Sequence, residues 1–333
     1  MSLVNEPDLI RRIERLFTKE SKGLLVGIGD DCAIFRPKKG YDLLATTDTL
    51  TEGVHFKRSL TTPKLLGGKS AEVNLSDIAA MGALPKYLLL SISFTSAIDD
   101  KWMKDFLGGF RKSIEAHDCV LIGGNVSASG ELSFTVTAIG EAPRGEKGTR
   151  NGARPGDYIF ITGTPGDSAL GLDILLKKKK PYTRAETRLV MRHNLPTARV
   201  KWGRQLVSGK FISAMIDISD GVALDLSRLL EASGHGASID LALFPLSREA
   251  LGIVSETGQK GWEKILGGGE DYELLFTVRP NKAHAVRRLI DSGKIVAACI
   301  GRVMPKVSGG APITITGPGG LPFGLKKAGW LHR

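Results

Sequence analysis

Tyr158-Ile159-Phe160-Ile161-Thr162-Gly163-Thr164-Pro165-Gly166-Asp167-Ser168 passes from an apolar, β-branched run into a turn built from Gly and Pro, and residues 169–176 continue it with helical spacing. A buried strand, a glycine turn and a helix are the parts of a layered α/β sheet. Such a turn can also hold a phosphate at the helix N-terminus, although this one lacks the Lys-Ser/Thr pair of a P-loop. Further units follow at 211–218 into 220–232, 237–243 into 248–256, and 272–278 into 284–291. The C-terminal half therefore reads as a layered α/β sandwich without internal repeats.

The segment 143–156 is rich in Gly, Arg and Pro and has no apolar period, which marks a connection between domains. Upstream of it, Leu9, Ile10, Ile13, Leu16 and Phe17 recur at helical spacing after Pro7, predicting an opening amphipathic helix. Extended stretches are expected at 43–47, 87–94 and 120–122, with Leu132, Phe134 and Val136 alternating as in a half-buried strand. Helices are expected over 70–81, closed by Gly82, and across Trp102, Phe106, Phe110 and Ile114. The fold class is α/β, with an α+β N-terminal domain over 1–148 and a layered α/β C-terminal domain over 149–333.

Length agrees with two domains: 333 residues at 42% hydrophobic are more than one compact core usually holds. The longest apolar run, near 87–94, falls short of the roughly 20 residues of a membrane helix. The first 17 residues are charged and helix-periodic, so no export signal is read and a cytoplasmic location is expected. Cys32, Cys119 and Cys299 show no C-x-x-C spacing and are expected to be reduced and buried. The 46 Lys and Arg exceed the 35 Asp and Glu, giving a net charge of +11. Apart from Lys177 to Lys180, read as a solvated loop, the basic residues are scattered and no aromatics interleave with them. Nucleic-acid stacking is unsupported, and an anionic substrate is the simpler reading.

The acids, in contrast, are grouped. Gly27-Ile28-Gly29-Asp30-Asp31, Thr46-Thr47-Asp48, Asn74-Leu75-Ser76-Asp77, Asp217-Ile218-Ser219-Asp220-Gly221 and Gly268-Gly269-Glu270-Asp271-Tyr272 all lie at ends of expected elements. Any one alone reads as a turn or a cap. Five together repel one another unless cations neutralise them, and hard oxygen ligands beside phosphate favour Mg²⁺. Asp48 should point from a strand end, where open sheets bind ligands. Asn74 and Asp77, three apart on a helix, should share a face. Asp220 is a candidate both for a ligand and for the N-cap of the helix that follows, while Asp225 inside that helix reads as a supporting group. His55, without metal spacing to another His, is either a substrate contact or ordinary packing.

As a set, these motifs resemble the thiamine-monophosphate kinase family of the aminoimidazole-ribonucleotide synthetase superfamily. The likeness runs in order from Gly27 to Trp330 and includes Gly53-Val54-His55-Phe56 and Gly163-Thr164-Pro165-Gly166-Asp167-Ser168. It implies an aminoimidazole-ribonucleotide synthetase-like two-domain architecture, with a homodimer formed through the N-terminal sheet and ATP bound between the domains. It also implies direct transfer of the γ-phosphoryl of ATP onto thiamine monophosphate, with several Mg²⁺ ions and no covalent nucleophile. By the resemblance, Asp31, Thr46, Thr47, Asp48, Asp77, Asp217 and Asp220 would hold metal. Gly124, Arg150 and Ser219 would contact ATP; His55, Glu270 and Trp330 would meet the substrate. The chain departs from the family at Gly123-Gly124-Asn125-Val126-Ser127, where Asp would be expected at Asn125. Asn125 offers a carbonyl oxygen to metal and ATP but no charge, which weakens that site. Alternatives are another ATP-using enzyme of the superfamily and a catalytically weakened paralogue with a binding or regulatory role. Selenophosphate synthetase and the hydrogenase-maturation dehydratase fit less well, since Cys32 lies within the acidic motif with packing as its expected role, and the chain ends Gly329-Trp330-Leu331-His332-Arg333.

Overall fold

A computed structural model describes residues 6–177, 180–306, 312–326 and 329. The chain divides into two compact units, Met1–Ile78 with Ala83–Glu146, and Ala79–Gly82 with Lys147–Arg333. No helix among the described residues is long and apolar enough to cross a membrane.

In the first unit, α1 (Glu6–Phe17) precedes a hairpin of β1 (Leu24–Val26) and β2 (Ile34–Phe35). A four-stranded sheet is then built from β3 (Tyr41–Thr51), β4 (Leu84–Phe94), β5 (Val120–Ala128) and β6 (Ser133–Pro143), in the order β3-β6-β4-β5. Only the β4–β5 pair is parallel. The helices are α2 (Pro63–Ala80) and α3 (Asp100–Ala116). α2 starts earlier than its 70–81 pattern predicts. Pro63 occupies the first helical position, where its missing N–H costs nothing, and Thr62 Oγ1 accepts a hydrogen bond from Leu65 N at 3.3 Å.

Alternation along the strands separates two faces. Leu88, Leu90 and Ile92 of β4 and Phe134, Val136 and Ala138 of β6 are buried on one face. There Phe134 stacks on Phe106 of α3, with centroids 4.0 Å apart. On the other face Tyr87, Val120 and Ile122 pack under Leu24, Ala33 and Phe35, while Ser91, Ser93, Thr135 and Thr137 remain half-buried. β5 continues through Gly123-Gly124 because position 124 carries no side chain. Its φ is +156°, and a Cβ there would lie 1.9 Å from the Leu90 carbonyl oxygen.

The second unit has a six-stranded sheet of β7 (Tyr158–Thr162), β8 (Ile212–Asp217), β9 (Gly236–Asp240), β10 (Leu274–Val278), β11 (Ala297–Met304) and β12 (Ile313–Thr316). The order is β12-β9-β11-β7-β10-β8, and every pair is antiparallel except β12–β9. Alternating strands and helices thus do not produce a doubly wound parallel sheet. The helices are α4 (Asp167–Lys177), α5 (Arg184–Asn194), α6 (Val200–Ser208), α7 (Val222–Ser233), α8 (Arg248–Thr257), α9 (Gln259–Gly267) and α10 (Pro280–Asp291). Ile159, Ile161, Ile216 and Leu275 of the sheet join Leu226, Leu229 and Leu230 of α7 and Ile265 and Leu266 of α9 in one core. Residues 241–243, expected to extend a strand, instead form a 3-10 turn in which the Asp240 carboxylate accepts from Ala242 N at 2.9 Å.

The cysteines correct one expectation. Cys119 is buried, which pushes its thiol up to about 12, but Cys32 is exposed. It sits between the hairpin strands beside Asp30 and Asp31, and Cys299 is half-buried, so of the three thiols Cys119 alone is buried as expected. Lys177 is the last residue of α4 and pairs with Asp173; Lys178 and Lys179 lie outside the described residues.

Candidate active site

In the first unit, β3 carries Thr46, Thr47 and Asp48 and α2 carries Asn74 and Asp77. The helix docks on the even-numbered face of the strand: Thr46 Oγ1 donates to Asp77 Oδ2 at 2.5 Å, and Asp48 N donates to Asn74 Oδ1 at 2.9 Å. Asn74 is buried, and its Nδ2 also reaches back to Ser70 O at 3.1 Å. The i, i+3 spacing seen in the sequence thus places both residues against one strand, with Asn74 fixing backbone and Asp77 meeting a hydroxyl. Thr47 faces the other way, donating to Val136 O and accepting from Thr137 Oγ1, each at 3.1 Å. His55 Nδ1 accepts from Thr51 N at 3.0 Å, so this nitrogen holds the turn after β3. Asp31 is exposed, and its backbone N–H bonds to the carboxylate of Asp30.

Asn125 is not brought to this group within the sheet. Two strands, β6 and β4, separate β5 from β3, about 14 Å across the ladder. Register places Asn125 in line with Ser91, Thr135 and Thr49, on the face opposite Asp48. Gly124 is in line with Leu90, Val136 and Asp48.

In the second unit, the segments 217–221 and 268–273 are laced together beyond the ends of β8 and β10. Ile218 N donates to Glu273 O at 2.8 Å, Tyr272 N to Ile218 O at 2.8 Å, and Glu270 N to Ser219 O at 2.7 Å. Gly269 permits this approach, since a Cβ there would lie 2.2 Å from Ser219 O. Asp217, Ser219, Asp220 and Glu270 are thereby neighbours. Arg150 is exposed, with its carbonyl accepting from Ser233 Oγ at 3.1 Å. Trp330 lies outside the described residues.

The turn at 163–168, which the sequence presents as a possible phosphate cradle, and the turn before α7 each receive one of the chain's own carboxylates. At α7, Asp225 Oδ2 accepts from Ser219 N, Asp220 N and Gly221 N at 3.0, 2.9 and 3.1 Å. Asp220 is therefore not the N-cap. That position is Gly221, and the Asp220 carboxylate pairs with Arg228, which also binds Asp225. At the turn of residues 163–168, Asp271 accepts from Gly166 N at 2.8 Å and Ser168 N at 3.1 Å. Both acids are buried, and desolvation raises both pKa values against these hydrogen bonds, that of Asp271 to about 8.

Glu273 is fully buried and bound by Arg192, Arg199 and Thr162. Glu270 is one-quarter exposed, and its Oε2 lies 3.3 Å from His193 Nδ1. Arg192, His193, Arg199 and Arg228 are absent from the sequence reading. Only Arg228 had a visible signal, its i, i+3 spacing from Asp225; the others meet their partners across about 75 to 80 residues.

Among the described residues, no three His, Cys, Asp or Glu side chains form a metal cage by themselves. The donors at hand are carboxylate, hydroxyl and carbonyl oxygens. That set suits Mg²⁺, which commonly takes one or two carboxylates and completes its octahedron with water and substrate phosphate.

Comparison with known proteins matches both units. Residues 29–142 fit the AIR synthase related protein N-terminal domain and 154–312 its C-terminal domain. Thiamine-monophosphate kinase of Escherichia coli strain K12 is 38% identical over 297 residues, covering 87% of this chain and 89% of that protein. The crystal structure of thiamine-monophosphate kinase from Stenotrophomonas maltophilia K279a superposes with a TM-score of 0.82 at 33% identity, covering 96% of this chain and 98% of that one. A structure of AaThiL complexed with AMPPCP and TMP gives a TM-score of 0.74 at 35% identity, covering 96% of each chain. With both domains matched and identity sustained over most of its length, the chain belongs to the thiamine-monophosphate kinase family.

Proposed function

We propose that this protein phosphorylates thiamine monophosphate to thiamine diphosphate, using ATP. The observation that carries this reading is the hydrogen bond from Glu270 N to Ser219 O, which couples the segment expected at ATP to the one expected at the substrate. The relative complexed with AMPPCP and TMP supports both ligands. Asp31, Thr46, Thr47, Asp48, Asp77 and Asn125 of the first unit and Asp217 and Asp220 of the second would hold Mg²⁺. Bound there, Mg²⁺ would neutralise the phosphates that must approach one another.

The remaining chemistry belongs to the chain. Asp225 and Asp271 take up five backbone N–H groups at these two turns, and Mg²⁺ would meet the phosphate charge. Arg150, Ser219 and Gly124 would orient ATP, while His55, Glu270 and Trp330 would orient thiamine monophosphate. Positioning and electrostatics suffice for phosphoryl transfer, and no side chain need form a covalent intermediate. A homodimer through the sheet of the first unit is part of the proposal. Among the described residues β3 pairs only with β6, and its Leu43, Ala45, Thr47 and Thr49 are exposed, an edge of the kind proteins cover. A cytoplasmic setting agrees with soluble, charged substrates. Chromatographic detection of thiamine diphosphate from ATP, Mg²⁺ and thiamine monophosphate tests the reading, and absence of product from both the wild type and Asn125→Asp would refute it.

A further inference from the structure

The last turn of α5 grips the motif at 268–273 at two points. Arg192 binds Glu273, and the next residue, His193, faces Glu270. His193 is nearly buried, and its Nδ1 lies 3.3 Å from Glu270 Oε2 and 3.2 Å from Ser168 Oγ. Ser168 is itself fixed: it is fully buried, and its N–H donates to Asp271 Oδ1 at 3.1 Å. The imidazole is therefore wedged between an immobile hydroxyl and a carboxylate that reaches solvent. Ser168 Oγ can donate to this nitrogen or accept from it, and a hydrogen bond to the Glu270 carboxylate forms in the tautomer that carries the proton on Nδ1.

Glu270 needs such support. Its backbone is left-handed at φ +66°, as is Tyr272 at φ +52°, and Asp271 between them is pinned under the α4 turn. Backbone geometry sets where the side chain leaves the main chain, while a flexible Glu still chooses among rotamers. A hydrogen bond from His193 Nδ1 to Oε2, 3.3 Å away, would restrict that choice.

We propose that His193 is a positioning residue for thiamine monophosphate, its Nδ1–H holding the Glu270 carboxylate in the orientation that meets the cationic heterocycle. The proposal rests on the assignment of Glu270 to the substrate, and the test separates the two. His193→Asn keeps an N–H close to the Nδ1 position, His193→Gln moves it outward, and His193→Leu removes it. Steady-state kinetics should show KM for thiamine monophosphate about tenfold higher in the Leu and Gln variants, as expected for a lost hydrogen bond to a charged group. The Asn variant should recover most of that loss, with kcat and KM for ATP within about twofold throughout. Adding His193→Leu to Glu270→Gln should change KM for thiamine monophosphate less than about twofold. Equal effects on both substrates, or no difference between Asn and Gln, would assign His193 a merely structural role and overturn the proposal. A raised KM in Glu270→Gln with none in the His193 variants would overturn it while leaving Glu270 at the substrate. An unchanged KM in Glu270→Gln would remove Glu270 from the substrate, and the positioning role with it.

Discussion

Glu270 occupies a left-handed backbone conformation that an L side chain adopts at a cost of about 1 kcal/mol or more. The strain is retained where the motif turns back toward Ser219, and it places a carboxylate at the edge of the site. Comparing Glu270→Gly with Glu270→Ala isolates it, since both lack the carboxylate and only glycine relaxes the backbone. The Gly variant should be more stable by about 1 kcal/mol, or roughly 2–4 °C in Tm for a unit of this size, measured by thermal denaturation. Asp271, one residue on, carries a different signature. Burial raises its pKa to about 8, whereas an unfolded Asp titrates near ~3.9. Between those values the native state holds a proton that the unfolded state releases. The contribution is complete below about pH 4 and is lost as pH rises to about 8, with a slope of up to about 1.4 kcal/mol per pH unit. Urea unfolding across that range should show stability falling with pH, and Asp271→Asn should remove that part of the slope while lowering stability at acid pH. An unchanged slope would place the proton elsewhere.

At the scale of elements, the start of α7 shows how a buried acid inside a helix can organise the loop before it. Asp225 gathers three successive backbone N–H groups and ties Asp220 to the helix through Arg228. Asp225→Ala would leave those groups without their shared acceptor, at a cost of about 3 kcal/mol. The denaturation midpoint should fall accordingly, and KM for ATP should rise because Ser219 and Asp220 lose their brace.

Much of this is legible in the sequence alone. Strands such as 158–162 and helices such as 100–116 follow directly from apolar period, and the acidic motifs mark their own positions by repetition. Contacts distant in sequence were not legible. Nothing local to Asp271 says that it fills the turn at 163–168, nor that His193 meets Glu270 from 77 residues away. The supporting role of Asp225 can be read from its place inside a helix; the three backbone N–H groups that it gathers cannot. Sheet order is equally hidden: the resemblance groups Asn125 with the metal residues, while the sheet holds it on the edge strand opposite β3.

For the molecule as a whole, the proposed function gives the phosphate charge to Mg²⁺, and Asn125 would bring no negative charge to one of the proposed ion sites. Asn125→Asp should therefore lower the Mg²⁺ concentration for half-maximal activity, by about an order of magnitude if the added charge contributes about 1.4 kcal/mol. The Mg²⁺ titration of both proteins at saturating ATP measures this. The central claim, that the γ-phosphoryl of ATP is moved intact onto the phosphate of thiamine monophosphate, is tested most directly by following γ-labelled ATP through one reaction. Label is expected in the terminal phosphate of thiamine diphosphate, in equal amount to the ADP formed. Label released as inorganic phosphate, with thiamine monophosphate unchanged, would contradict it.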